Sequence, residues 1–420
     1  MRLAVERPLR ALIFDPWCLV PYYTIALARG LIESGVDVRV FSIGYDLDPE
    51  CFRRAGLRND PGLLDLFSGK RIGAGFLRRA AKLAQGVVNL AAMAVRLVFQ
   101  RPDIIHVQQL RLVQAGLPLE TWFLEYARIL GCKLVYTVHN LLPHDTQERH
   151  RARYAQLYRR MDGLICHSNH ARDRLTAEFD IDPARVCVIP HGPLFEALAE
   201  RHGAGVAVNE CVVLWQGFIR PYKGLEFLLE AWKKLQPEPA ARLVIAGSGE
   251  PEYLERLRER VEALGIAGSV ELRFRFLNLA EMAQLYSVAD IAVYPYREIT
   301  TSGALLTAVG NGKAIVATDL PAFRELLRDG ENALLVPYGD AQALADALRR
   351  LIRDPALRAR LASRTLDLNY KLLWREIAEE TRACYERLLG DFGERSALAD
   401  GGADRVYAQE RTSVRDRGDL

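Results

Sequence analysis

Short, mostly apolar runs punctuate the chain. A first set is Ala11–Phe14, Val38–Ile43, Ile104–Val107, Leu134–Val138, Leu164–Cys166 and Val186–Ile189. A second set is Val212–Trp215, Leu243–Ala246, Val270–Leu272, Ile291–Tyr294, Ala314–Ala317 and Ala333–Val336. Most of them do not alternate with polar positions, and helical patterns lie between them. That is the signature of parallel strands covered on both faces. Six runs followed by six predict an α/β fold with two Rossmann-like, doubly wound parallel-sheet domains, 1–203 and 204–370. The break is expected in the glycine-bearing stretch 201–209. Ala341–Arg353, Pro355–Ser363 and Trp374–Leu389 read as amphipathic helices, the last a closing helix within 371–390. From Asp391 the chain is rich in Gly, Asp, Arg and Ser, and a disordered tail is expected. Ligands of such sheets sit at the carboxyl ends of strands, so two facing sheets place a cleft between the domains.

Residues 70–101 interrupt this rhythm. The bases Lys70, Arg71, Arg78, Arg79, Lys82, Arg96 and Arg101 are spaced by apolar residues, and there is no acid. Two readings fit: a basic amphipathic segment lying on an anionic membrane surface, or a surface helix with a basic exposed face.

Composition narrows the class. The chain has 420 residues and a net charge of +3, too small a balance to imply nucleic acid. The seven cysteines have no CxxC spacing, and several fall inside apolar runs. They are expected to be buried thiols in a reducing compartment. The N-terminus lacks the pattern of a cleaved signal, and no run is expected to reach the roughly 20 apolar residues of a membrane span. A cytoplasmic protein is expected, possible membrane contact being peripheral.

The candidate chemistry lies in loops after strands. Gly217 to Gly224 (GFIRPYKG) places Arg220 and Lys223 where two cations can hold a diphosphate and offset charge on a leaving group. Gly247 ends the next strand in a tight turn that either contacts ligand or simply reverses the chain. Thr300, Thr301, Ser302 and Gly303 lead into a short apolar helix from Ala304, so backbone N–H groups there form an anion site or an ordinary strand–loop–helix connection. His139 ends a strand of the first domain, with His144 in the following loop and His191 after the last strand of that set. Each can contact substrate, and His139 can also move protons; loop backbone satisfies them otherwise. The histidines show no recognised metal spacing. The triplets at Asp46/Asp48 and Asp180/Asp182 read as turns rather than as metal ligands. No metal site and no cofactor are expected.

Four features, in order, resemble GT-B glycosyltransferases, and most closely glycosyltransferase family 4, the group 1 transferases. TVHN (Thr137 to Asn140) resembles a strand-end histidine motif beside the donor sugar. VIPHGP (Val188 to Pro193) resembles the end of the first domain. GFIRPYKG resembles the diphosphate clamp, and Asp290–Glu325 resembles the nucleotide-sugar loop. The resemblance runs from about Ala11 to Leu389 and implies a nucleotide-sugar donor, a UDP- or GDP-hexose, held by the second domain. It implies a glycan or lipid-linked acceptor held by the first. Lys223 and Arg220 would balance the departing diphosphate, and His139 would contact the donor sugar. Gly217, Gly247, Thr301, Ser302, Gly303 and Ala304 would line the donor site.

Two positions depart from the family pattern. Phe218 stands where an Arg is common. The two glutamates usually spaced by seven residues are replaced by Ile299, with Glu298 one position early, and by Thr307. Glu298 and Thr307 are taken as donor-binding substitutes. The resulting expectation is a retaining, metal-independent hexosyltransferase of surface polysaccharide synthesis. The alternatives are a catalytically inactive GT-B scaffold and another GT-B enzyme such as an epimerase or phosphorylase.

Overall fold

Each of the twelve apolar runs forms a strand. A computed structural model describes residues 7–68, 76–143, 147–195, 210–236 and 241–390. The expected break at 201–209, the expected tail from Asp391 and the candidate residue His144 lie outside the described residues.

The first sheet contains β1 (Arg10–Phe14), β2 (Asp37–Phe41), β3 (Asn59–Asp60), β4 (Ile104–Val107), β5 (Lys133–Thr137), β6 (Gly163–Cys166) and β7 (Val186–Val188). Its order is β3-β2-β1-β4-β5-β6-β7. The second contains β8 (Cys211–Gln216), β9 (Ala241–Ala246), β10 (Val270–Arg273), β11 (Ile291–Tyr294), β12 (Ala314–Thr318) and β13 (Leu334–Val336), ordered β10-β9-β8-β11-β12-β13. All the pairings are parallel. Central strands such as β4, β6 and β12 are buried along their whole length, which is why they read as mostly apolar runs. The first sheet gains one strand over the six expected. Asn59–Asp60 is a two-residue polar edge, paired with Val40 and Phe41, and carries no apolar run to announce it.

Strand order reverses between β1 and β4 in one sheet and between β8 and β11 in the other. Crevices at such switch points hold ligands. The loops after β8 and β11, which carry Lys223 and Thr301–Ala304, flank the second switch point.

The closing helix Trp374–Leu389 returns to the first domain and packs on the helix Pro21–Glu33. Close approach explains Gly30: a Cβ there would meet the Trp374 carbonyl oxygen at 2.7 Å. Tyr385 of this helix is bonded through its hydroxyl to His106 Nδ1 of β4 at 2.6 Å. One expectation about the cysteines is corrected here. Cys187 of β7 and Cys384 of the closing helix form a disulfide across 197 positions, while Cys18, Cys51, Cys132, Cys166 and Cys211 are free and buried. Only the return of the last helix brings the two sulfurs together, so spacing in sequence carries no trace of the pair.

The basic segment forms the helix Phe76–Gln100, and Lys70 and Arg71 fall outside the described residues. Its inner side is fixed by buried Leu90, Met93 and Leu97, and by buried Gln85 and Asn89, whose side chains bond the backbone of Leu63, Leu64 and Leu66. Arg78 and Lys82 pair with Asp46, and Arg96 pairs with Asp60. The outward face is therefore more apolar than basic. Leu77, Val88, Val95 and Phe99 are exposed along it, with Trp122 and Ile129 exposed on the neighbouring helix Leu119–Ile129. A second expectation is corrected here: by length and composition alone, Leu77–Gln100 is apolar enough to cross a membrane, its few bases being diluted over 24 residues. Its buried inner side belongs to the first domain's core.

Candidate active site

The loop after β8 is built on close backbone packing. Gly247 holds φ +152°, and a Cβ there would stand 1.8 Å from the Gly217 carbonyl oxygen. Gly224 holds φ +68°, and a Cβ would stand 1.9 Å from the Pro295 carbonyl oxygen. Only glycine allows both approaches. They draw the ends of β8, β9 and β11 together around Lys223.

Lys223 ends the short turn Pro221–Lys223. Its Nζ lies 5.8 Å from the Trp215 ring centroid and 5.5 Å from that of Tyr296. Part of its surface opens to the cavity, while protein encloses it elsewhere. Burial, reinforced by the Arg220 charge, lowers its pKa to about 8. Arg220 sits to one side: its Nη1 bonds Glu250 Oε1 at 2.9 Å, and its guanidinium covers the Phe218 ring at 4.9 Å. Phe218 thus supports the Arg220 guanidinium.

The helix Gly303–Gly310 begins at Ser302, whose Oγ accepts from Leu305 N at 3.2 Å. This cap orients the first turn and leaves its early N–H groups for a ligand. Thr307 is placed differently from the expectation of donor contact. It is buried, donates to the Gly303 carbonyl oxygen at 2.7 Å, and accepts from Leu194 N at 3.3 Å. Its hydroxyl ties the helix to the end of the first domain and does not line the cavity. Glu298 is exposed and pairs with Arg297 at 3.4 Å, also away from the cavity lining.

Three neighbouring strands of the first sheet each end at a histidine: His139 after β5, His167 after β6 and His191 after β7. The His139 and His167 ring centroids are 5.3 Å apart, as are those of His167 and His191. Tyr23 touches all three, with centroids 4.7, 5.4 and 5.0 Å away, and Trp374 closes the group 5.3 Å from Tyr23. Burial holds these imidazoles neutral. His167 is lowered to about 4, His191 to about 3, and His139 well below its ordinary value. Behind them His106, also lowered to about 3 by burial, bonds Thr137 Oγ1 at 2.6 Å. Among the described residues no group of three or more His, Cys, Asp or Glu is arranged to hold a metal ion.

These parts meet at one cavity of about 170 Å³. It is lined by His139, Asn140, His167, His191, Tyr222, Lys223, Ile299 and Thr301–Ala304. Of the residues expected from sequence, His139, His191, Lys223, Thr301, Ser302, Gly303 and Ala304 converge here. Gly217 and Gly247 shape the floor behind Lys223, and Arg220 lies beside it. Sequence reasoning missed His167 as a site residue, along with Tyr222, Tyr23 and Trp374. The available signal for His167 was its place at a strand end between two other strand-end histidines.

The two Asp-x-Asp triplets serve structure. Asp182 accepts from Ala184 N at 2.9 Å, Asp180 ends a helix with φ +54°, Asp46 takes Lys82, and Asp48 accepts from Tyr22 Oη at 3.0 Å.

Comparison with known proteins agrees with this arrangement. Residues 20–192 match the model for Glycosyltransferase Family 4, and residues 210–354 match the model for Glycosyl transferases group 1. A D-inositol 3-phosphate glycosyltransferase of Jonesia denitrificans is 27% identical over 411 residues, covering 87% of this chain and 90% of that protein. A phosphatidyl-myo-inositol mannosyltransferase of Mycolicibacterium smegmatis is 33% identical over 184 residues, 42% of this chain and 45% of that one. The structure of Anabaena HepE in complex with UDP and glucose superposes with a TM-score of 0.69 at 18% identity, over 89% of this chain and 98% of that one, a likeness of fold. With both halves matched in order and two doubly wound sheets facing one cavity, the chain belongs to the GT-B glycosyltransferases of family 4, the group 1 transferases.

Proposed function

We propose that the protein transfers a hexose from a UDP- or GDP-hexose to a hydroxyl of a glycan or lipid-linked acceptor, with retention of anomeric configuration and without a metal. The observation that carries this reading is the convergence of Lys223, the N–H groups of Gly303 and Ala304, and the histidine row on one cavity. The diphosphate lies between the Lys223 ammonium and the helix N-terminus, where positive charge and oriented dipoles act together. Neutral His139 meets a hydroxyl of the sugar. As the acceptor oxygen bonds to the anomeric carbon, the bond from that carbon to the diphosphate oxygen breaks. Lys223 offsets the charge that develops there, and the acceptor proton passes to the leaving diphosphate. Arg220 exchanges Glu250 for phosphate when the donor is bound.

The acceptor is proposed to be presented at the cytoplasmic face of a membrane. The exposed stripe of Leu77, Val88, Val95 and Phe99, continued by Trp122 and Ile129, supports shallow insertion. A relative named for phosphatidyl-myo-inositol points the same way. Flotation with vesicles containing phosphatidylglycerol, and transfer of labelled hexose to acceptor lipid in those vesicles, test this reading. Val95→Asp with Phe99→Asp should abolish flotation while donor hydrolysis persists. Wild-type protein that stays in solution at low salt contradicts the membrane claim, and failure to transfer or hydrolyse any hexose donor contradicts the enzyme.

A second reading, a non-catalytic GT-B scaffold, is favoured by one observation: Thr307 is buried and engaged where the family usually has a carboxylate. Tight protein–partner binding with no heat from any nucleotide would support it.

A further inference from the structure

We propose that His167 recognises substrate: its Nε2 accepts a hydrogen bond from a hydroxyl of the sugar held in the cavity. The proposal rests on the glycosyl-transfer reading above and adds a residue to it.

Geometry fixes the proton on this ring. Nδ1 lies 3.0 Å from the Ile189 carbonyl oxygen, which only accepts, so Nδ1 carries the hydrogen. In the neutral ring Nε2 then has a lone pair and no hydrogen. That lone pair is buried and has no hydrogen-bond partner among the described residues. Buried polar atoms are nearly always paired, so an orphan at a cavity wall marks a partner that arrives with a ligand. The partner must donate. An anionic phosphate oxygen cannot, whereas a sugar hydroxyl can.

The surroundings agree. His167 lines the Lys223 cavity and also a second cavity of about 180 Å³ behind Thr300–Ser302. Thr300 Oγ1, on the wall of that second cavity, is likewise buried without a partner among the described residues. The flanking His191 directs Nδ1 at the Gly192 carbonyl oxygen, which leaves its Nε2 as an acceptor too. The two domains therefore present opposite chemistry. Lys223 and the N-terminus of Gly303–Gly310 attract an anion, and His167 and His191 offer lone pairs that phosphate avoids and hydroxyls satisfy. This polarity sets phosphate toward one domain and sugar hydroxyls, of donor or acceptor, toward the other.

Two substitutions separate recognition from support. His167→Asn can still donate to Ile189 from its amide nitrogen but loses the distal acceptor. His167→Gln carries an oxygen near the former Nε2 and gives up the Ile189 bond. Both are assayed with UDP- and GDP-hexoses and their monodeoxy analogues, by hydrolysis in water and by transfer to an alkyl glycoside and its deoxy analogues. Wild type should lose about thirtyfold in kcat/KM for one deoxy compound relative to its parent. His167→Asn should lose about as much with the parent and no longer distinguish the two. His167→Gln should restore part of the discrimination. Discrimination confined to deoxy donors, and visible in hydrolysis, assigns the hydroxyl to the transferred sugar; confined to deoxy acceptors, it assigns it to the acceptor. The proposal is overturned if His167→Asn keeps wild-type discrimination against every analogue, which a bridging water or a purely structural histidine would produce. A wild type that turns over none of the donors would instead overturn the glycosyl-transfer reading beneath it.

Discussion

The ammonium of Lys223 stands 5.5 Å from the centre of the Tyr296 ring, inside a wall completed by Trp215. Aromatic faces attract a cation but do not replace its hydration, and the Arg220 charge opposes it. Its lowered pKa of about 8 therefore falls in the working range of an enzyme. A bound diphosphate supplies the missing anion and restores the proton. The affinity for UDP or GDP should then fall about tenfold from pH 8.5 to pH 9.5, with proton uptake on binding visible in calorimetry across buffers of different ionisation heat. The effect on stability has the other sign. Between about 8 and 10.5 the unfolded chain holds this proton and the empty folded protein does not, so this group makes the fold more stable as pH rises.

Glu325, beyond β12, reaches across to the first domain. Its carboxylate accepts from Asn169 N at 2.9 Å and from His170 N at 2.6 Å, at the start of the helix Asn169–Phe179. Ser168 Oγ adds a bond to the Thr300 carbonyl oxygen at 3.4 Å. These bonds hold the domains together beside the cavity. Glu325→Ala should raise KM for the donor roughly fivefold with little change in kcat, and should increase the radius of gyration in solution scattering. An unchanged KM and radius would deny the latch.

Acid should destabilise the protein from below about pH 6.5. His106, His167 and His191 have pKa values lowered to between about 3 and 4, and His139 is lowered well below its ordinary value. The unfolded chain takes up these protons as pH falls through 6.5, and the folded chain does not. Two buried carboxyls work against this. Burial raises Asp15 to about 6 and Glu120 to about 7, so the folded chain gains their protons first. Four imidazoles against two carboxyl groups leave a net uptake of about two protons on unfolding near pH 5.5. Urea melts between pH 7 and pH 5 should show stability falling toward acid with that slope; a rising or flat profile contradicts the neutral histidine row.

Two glycines of similar backbone shape should respond differently. Gly224 has φ +68° with the Pro295 carbonyl oxygen in the way of a Cβ, whereas Gly330 has φ +73° with nothing within 4 Å. Gly330→Ala bears only the left-handed strain, about 1 kcal/mol. Gly224→Ala must also move β11's loop away from Lys223. It should lose several times that stability and most donor binding, measured by urea denaturation and calorimetry.

The strands were legible because parallel strands buried on both faces must be apolar throughout. Asn59–Asp60 was not, being a polar edge that pairs through backbone alone. The loops carrying Lys223 and Ser302–Ala304 were legible because each is a local strand–turn–helix motif. The histidine row was legible only in part. Its middle member becomes evident once β5, β6 and β7 are known to be neighbours, and Tyr23 and Trp374 join it from opposite ends of the chain. Thr307 was read as facing the donor because sequence does not say which way a hydroxyl on a short helix turns. Arg78, Lys82 and Arg96 looked exposed because Asp46 and Asp60, their partners, lie more than 30 positions away in sequence.

The central claim is that Lys223 faces the diphosphate of a nucleotide-sugar donor. Calorimetric titration of the wild type and Lys223→Ala with UDP and GDP, paired with release of nucleoside diphosphate from hexose donors, tests it most directly. The wild type should bind one nucleotide and turn over its hexose conjugate. Lys223→Ala should remain folded and lose about a hundredfold or more in kcat/KM, with weakened diphosphate binding. Undiminished binding and turnover in Lys223→Ala, or a wild type that neither binds nor turns over any of these nucleotides, would contradict it.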